Sequence, residues 1–109
     1  MFDLVTISEA LKKYYNREGI LIDVRDEEAY RTGHLPGAVH VPLDDIMEEK
    51  YHPQKGKILY LYCDTGSSSL MAARKLDEDG FQVYSVAGGI SSYRGRLDKE
   101  EVDTFFSSQ

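Results

Sequence analysis

The chain has 109 residues, 41% hydrophobic and 29% charged, with a formal net charge of −6 and one cysteine. That balance argues against a disordered or membrane chain, the single thiol excludes an internal disulfide framework, and no apolar run approaches the roughly 18 residues of a membrane-spanning helix. Lysines and arginines are scattered, which argues against general nucleic-acid binding because that needs a basic face. The length suits one domain over residues 1–109, burying roughly two-thirds of its unfolded surface and folding without metal or disulfides. The N-terminus, MFDLVTISEALKKYY, lacks the basic-then-apolar order of a signal peptide. A lone thiol is also easier to keep reduced in a cytosol, so a cytoplasmic setting is expected.

Leu4 to Ile7 is a short β-forming piece, and Ser8 is expected to cap a helix that runs to Tyr15 and ends over Asn16 to Gly19. Ile20 to Val24 is apolar without polar alternation, the pattern of a strand buried on both faces of a parallel sheet. Asp23 and Arg25 flank its end, expected as an ion pair that organises the loops. Asp26 can cap a short helix over Glu27 to Arg31, which Gly33 ends. His34 to Ala38 reads as a turn, and Val39 to Val41 as a brief or edge strand closed by Pro42. With no third ligand nearby, His34 and His40 read as hydrogen-bonded structural groups, and no metal site is expected. Asp44 and Asp45 open a helical piece through Lys50.

Lys57 to Tyr62 is a second buried strand that stops at Cys63. A polar loop follows, and then a helix with Leu70, Ala73 and Leu76 at three-residue spacings and Gly80 as its stop. Phe81 to Val86 is a further strand, Gly88 and Gly89 turn the chain into a short helix through Tyr93, and Leu97 to Phe106 is expected as a final helix. Strands alternating with helices call for right-handed crossovers, giving an α/β fold with a parallel sheet and helices on both faces.

In such sheets ligands bind at the carboxyl ends of the strands. Cys63 lies at one such end, Asp23 to Arg25 at another and Ala87 to Gly89 at a third. A thiol attacks or carries sulfur as its thiolate, and an ordinary cysteine is mostly protonated at neutral pH. Loop amides and a helix N-terminus stabilise negative charge, so the segment after Cys63 is suited to an anionic sulfur. Gly66 lets the loop curl tightly, and Ser67, Ser68 and Ser69 offer hydroxyl donors and a helix cap. The competing reading is a serine capping segment beside an inert buried thiol.

Four motifs occur in order: Ile22-Asp23-Val24-Arg25, Gly33-His34-Leu35-Pro36-Gly37-Ala38, Cys63-Asp64-Thr65-Gly66-Ser67-Ser68-Ser69 and Gly88-Gly89-Ile90. Together they resemble the rhodanese family of sulfurtransferases, in particular its small single-domain members, from about Leu4 to Gly95. The resemblance implies a three-layer fold with a five-stranded, mainly parallel sheet, its core over about 4–95 and its C-terminal helix over about 97–106. It implies Cys63 as the nucleophile that becomes a persulfide, the amides of Asp64, Thr65, Gly66, Ser67 and Ser68 as the cradle, and Asp23 and Arg25 as a supporting rim. No cofactor is implied. The expected partners are a small-molecule donor, thiosulfate or a persulfide, and a thiol or cyanide acceptor, with a protein persulfide as a further candidate. A monomer is expected, with no nucleic acid and no membrane.

Two departures from the family pattern stand out. The loop carries Asp64 and no basic residue before Arg74, and Tyr93 stands where the family often has tryptophan. An aspartate at about 6 Å disfavours an anionic sulfur by roughly 0.7 to 3 kcal/mol for effective dielectrics from 80 to 20. Thiosulfate, a dianion, is therefore expected to be a poor donor. Two alternatives are a non-catalytic rhodanese-like binding module, which has no chemical need for the thiol, and a cysteine phosphatase or arsenate reductase. The last two need an arginine in the loop to grip the oxyanion, at a position read as Leu70.

Overall fold

A computed structural model describes residues 1–100. Strand β1 (Asp3–Val5) leads directly into helix α1 (Ile7–Tyr15), and the junction is Thr6. Its hydroxyl accepts the Glu9 amide at 3.1 Å while the Glu9 carboxylate accepts the Thr6 amide at 2.9 Å. This reciprocal pair satisfies two of the amides that a helix start leaves open. The cap is thus Thr6 rather than the expected Ser8. Three residues after Ser8 stands Leu11, which cannot return the hydrogen bond, whereas Thr6 has Glu9.

The chain continues through β2 (Ile20–Asp23), α2 (Glu27–Thr32), β3 (Val39–His40), α3 (Leu43–Met47), β4 (Leu59–Tyr62), α4 (Ser67–Glu78), β5 (Val83–Val86) and one 3₁₀ turn, Ile90–Ser92. Asp26 caps α2 as expected, accepting the Ala29 amide at 2.8 Å. The strands form one five-stranded sheet in the order β1-β5-β4-β2-β3, with every neighbouring pair parallel. Strand β4 is central, with Asp23 opposite Tyr62 on one side and Leu61 opposite Ser85 on the other. The short β3, followed by Pro42, lies at an edge.

Alternate side chains of each strand go to opposite faces. Ile22, Leu59, Leu61 and Val83 pack with Ile46 of α3 and with Ala72, Ala73 and Leu76 of α4. Leu21, Tyr60, Tyr62 and Val86 pack on the other face with Ile7 and Ala10 of α1 and with Leu35. Both faces are covered, which is why β2 and β4 show no polar alternation. Lys75 fastens α4 to the segment after α3 through Glu49 at 2.8 Å.

The final helix does not begin where expected. Asp98 pairs with His34 as an antiparallel bridge, both amide-to-carbonyl distances being 2.9 Å. Its carboxylate also accepts the Gly37 amide at 3.2 Å. Residues 97–100 are therefore not helical, and the backbone N–H and C=O of Asp98 are engaged across the fold. The rest of the expected helix, to Phe106, lies outside the described residues.

Candidate active site

Cys63 follows the last residue of the central strand and is 4% exposed. Its Sγ accepts the Gly66 amide at 3.1 Å and the Ser69 amide at 3.3 Å. Gly66 has φ of 113°, in the left-handed region that side chains resist. A Cβ there would approach nothing nearer than 3.5 Å, so backbone conformation rather than space demands glycine. Gly66 is also the residue that caps α4, and no side chain caps it. The expected serine cap is absent because the sulfur takes the amides a cap would satisfy. The Ser67 and Ser68 amides, in the first turn of α4, have no acceptor among the described residues. They remain available to an anion at this helix end.

The loop's amides point inward because its carbonyls are held outward. The carbonyl of Cys63 accepts the Ile90 amide at 2.9 Å, and that of Asp64 accepts the Ser91 amide at 3.0 Å. Both donors come from the turn after β5. Gly89 makes this approach possible: at φ of 58°, a Cβ on it would collide with both carbonyl oxygens. The Gly88-Gly89-Ile90 motif thus orients the peptide planes beside the thiol.

Asp23 is fully buried, and Arg25 answers it with Nε at 3.1 Å from both carboxylate oxygens and Nη2 at 2.8 Å from one. Nη2 also donates to the Gly33 carbonyl at 2.6 Å. Burial opposes the charge on Arg25, but the Asp23 carboxylate outweighs it and holds the guanidinium protonated more firmly than usual. The expected loop-organising pair is present. Arg25 does more than expected, however, because its Nη1 reaches the Asp64 carboxylate at 3.5 Å. The Asp64 side chain is 71% exposed, so this contact only partly offsets its charge. The loop's own residues give no sign of it, since the arginine arrives from a segment 39 residues earlier.

His34 and His40 are structural in their contacts. His40 Nε2 donates to the Arg25 carbonyl at 2.7 Å, His34 Nδ1 donates to the Tyr30 carbonyl at 2.8 Å, and both rings stack on Tyr30. The Tyr62 hydroxyl accepts the Leu35 amide at 3.0 Å. Burial, and then the charge of Asp23, push that hydroxyl far up from its ordinary range, so it stays neutral.

Sequence reasoning missed Ser85 and read Ser69 only as a hydroxyl donor or helix cap. Ser69 and Ser85 are fully buried, with their hydroxyl oxygens 2.8 Å apart. Ser69 Oγ is also 3.6 Å from Cys63 Sγ and 3.1 Å from the Gly66 carbonyl. The usable signal was Ser85 itself, a hydroxyl on the α4-facing side of an apolar strand, which requires a partner. The position six residues after Cys63, where an oxyanion-gripping loop places arginine, is Ser69 and not the expected Leu70.

An open cavity of about 340 Å³ is lined by Cys63, Asp64, Thr65, Ser67 and Ser68, facing Val24, Arg25, Asp26 and Leu43. A larger hollow of about 480 Å³ lies away from the thiol, among Ile46, Tyr51, Leu76 and Phe81. It brings no nucleophile together with an amide cradle. Among the described residues no cluster of His, Cys, Asp and Glu is placed to hold a metal, and no helix is long and apolar enough to cross a membrane.

A parallel α/β sheet whose central strand ends at a buried thiol that accepts two loop amides defines the class of fold. Within that class, the Rhodanese-like domain model matches residues 7–96, and the chain belongs to this family. It is 42% identical over 82 residues to a tRNA sulfurtransferase of Desulfurococcus amylolyticus, a match covering 75% of this chain and 16% of that protein. It is 32% identical over 95 residues to the thiosulfate sulfurtransferase GlpE of Coxiella burnetii, covering 86% of this chain and 89% of the relative. The chain therefore spans about a sixth of the first relative and most of the second. A rhodanese-like domain protein from Staphylococcus aureus superposes with a TM-score of 0.80 at 25% identity, over 93% of this chain and 100% of the other.

Proposed function

We propose that this chain is a sulfurtransferase that carries sulfane sulfur on Cys63. The observation that carries the reading is the sulfur itself, buried at the end of β4 and accepting two amides, with two more amides beside it that have no acceptor among the described residues. In the loading step the thiolate attacks the outer sulfur of a donor persulfide, the donor's S–S bond breaks, and its thiolate leaves. With thiosulfate the leaving group is sulfite. The product is a persulfide whose terminal sulfur bears the charge, and the Ser67 and Ser68 amides at the helix N-terminus are suited to receive it. An acceptor thiolate, or cyanide, then attacks that terminal sulfur and regenerates the Cys63 thiolate. This sequence has no second cysteine, so the acceptor thiol is not one of its own residues.

The donor we favour is a persulfide, on a small thiol or a protein. The cavity sets one guanidinium, Arg25, against two carboxylates, Asp26 and Asp64, a net of −1 that repels a dianion more than a monoanion. Arg25 is already engaged by Asp23, Gly33 and Asp64. A module that binds without turnover has no use for the thiol, and a phosphatase lacks its arginine at Ser69. Mass spectrometry after incubation with a persulfide donor tests the proposal. Wild type should gain one sulfur atom that cyanide removes, and Cys63→Ser should gain none; a wild type that stays unmodified by both persulfide and thiosulfate would refute it.

A further inference from the structure

Ser69 and Ser85 form a closed hydrogen-bond set with the thiol. A hydroxyl has one proton and two acceptor positions, and Ser69 uses all three. Its Oγ accepts the Cys63 thiol proton at 3.6 Å, donates to the Gly66 carbonyl at 3.1 Å, and meets Ser85 Oγ at 2.8 Å. Among the described residues Ser69 is the sole side-chain partner of Ser85. A buried hydroxyl proton goes where it is accepted, so Ser85 is the donor of that pair and Ser69 its acceptor.

This arrangement changes when the thiol loses its proton. Ser69 then has a free acceptor position, and its own proton can turn from the Gly66 carbonyl to the sulfur. The Gly66 carbonyl is not orphaned by this, since it keeps the Leu70 amide at 3.2 Å. Sγ thereby gains a third donor beside the Gly66 and Ser69 amides. Once Cys63 carries a second sulfur, the negative charge moves outward and the hydroxyl can return to the carbonyl. The third donor thus favours the attacking thiolate over the loaded state. Ser85, by donating to Ser69, leaves the Ser69 proton no competing partner in the strand and strengthens it as a donor, since linked hydrogen bonds polarise one another.

We propose that Ser85 is a positioning residue for Cys63, acting through Ser69 as a hydrogen-bond switch that turns to the sulfur when it is anionic. The role in turnover rests on the sulfurtransferase reading, but the switch itself does not, and its test needs no sulfur donor. The charged groups that face Cys63 are Arg25 and Asp26 from the β2–α2 connection and Asp64 from its own loop. Strand β5, helix α4 and helix α3 present Ser85, Ser69 and Leu43 there, none of which is charged. The variants below leave all three charges in place.

The experiment is the rate of iodoacetamide alkylation of Cys63 against pH, read by mass, in wild type, Ser85→Ala, Ser85→Thr and Ser69→Ala, with a thermal melt of each. Ser69→Ala removes a hydrogen bond to a charged group, and its midpoint should rise by about one pH unit. Ser85→Ala removes only the reinforcement, for a rise of about 0.3 to 0.5 unit. Ser85→Thr, which keeps the hydroxyl, should return the midpoint to wild type. A Ser85→Ala midpoint within about 0.1 unit of wild type overturns the proposal, because a merely structural serine would lower the melting temperature without moving the profile. Should Ser85→Ala melt too low to assay, an unmoved midpoint in Ser69→Ala overturns it equally. Normal alkylation shifts without sulfur loading would refute the function and leave the switch standing.

Discussion

Replacing Asp64 by asparagine removes one negative charge from the cavity mouth with almost no change of shape. At about 6 Å through a water-like dielectric, one unit charge repels another by about 0.7 kcal/mol, and a dianion by about 1.4 kcal/mol. The water-like value is the appropriate one because the side chain is 71% exposed. Asp64→Asn should therefore lower the KM for thiosulfate about tenfold, while a monoanionic persulfide gains only about threefold. Arg25 adds to both in the same sense, since its Nη1 loses the carboxylate that now faces it at 3.5 Å. Thiocyanate formation at varied thiosulfate, with cyanide saturating, measures the first value, and a trapped-product assay with a small persulfide measures the second. The contrast should shrink in about 1 M salt, where the screening length falls to about 3 Å. A KM for thiosulfate that Asp64→Asn leaves unchanged, or one that improves no more than for the monoanion, would refute the argument that charge at the mouth selects the donor.

Three other outcomes follow from contacts around the site and the first helix. Gly89→Ala puts a methyl group against the carbonyls of Cys63 and Asp64 at a positive φ; it should cost on the order of 2 kcal/mol in urea melts and slow Cys63 alkylation, and unchanged alkylation would show that the clamp does not orient the loop. Tyr62→Phe leaves the Leu35 amide without its acceptor, for a loss of about 1–3 kcal/mol with no new pH dependence near neutrality. Glu9 has a pKa lowered below its ordinary 4.5, first by its backbone hydrogen bond to Thr6 and then by the Thr6 side chain. A depressed folded-state value means stability present above 4.5 and lost as pH falls through the folded value. Glu9→Ala should accordingly be less stable than wild type at neutral pH, with the gap closing in melts below about pH 4.

The strands were legible because a sheet covered on both faces writes continuous apolar runs, as in Ile20 to Val24 and Lys57 to Tyr62. Cys63, Gly66 and the paired glycines were legible because each answers a local demand, a nucleophile or a positive φ. What escaped was pairwise and distant. The Arg25–Asp64 contact joins segments 39 residues apart, and Ser69 meets Ser85 across 16; neither spacing leaves a local pattern. Two of the helix starts escaped for a different reason. At Thr6 two candidate caps competed, and only the reciprocal carboxylate of Glu9 separates them. At Gly66 the sulfur replaced the cap. The bridge at Asp98 depends on His34, whose backbone offers a partner that no local propensity at Leu97 could reveal.

The position of Cys63 directly after β4 also bears on how the protein loses its reactivity. Strand β4 is hydrogen-bonded on both sides and all four of its residues are buried, so its amides should be among the last to exchange with deuterium, opening only with the whole fold. The edge strands β1 and β3, of three and two residues, should exchange far sooner. Fraying at the sheet's margins therefore leaves the thiol mounted on its most protected strand. Heat inactivation should coincide with global melting rather than precede it.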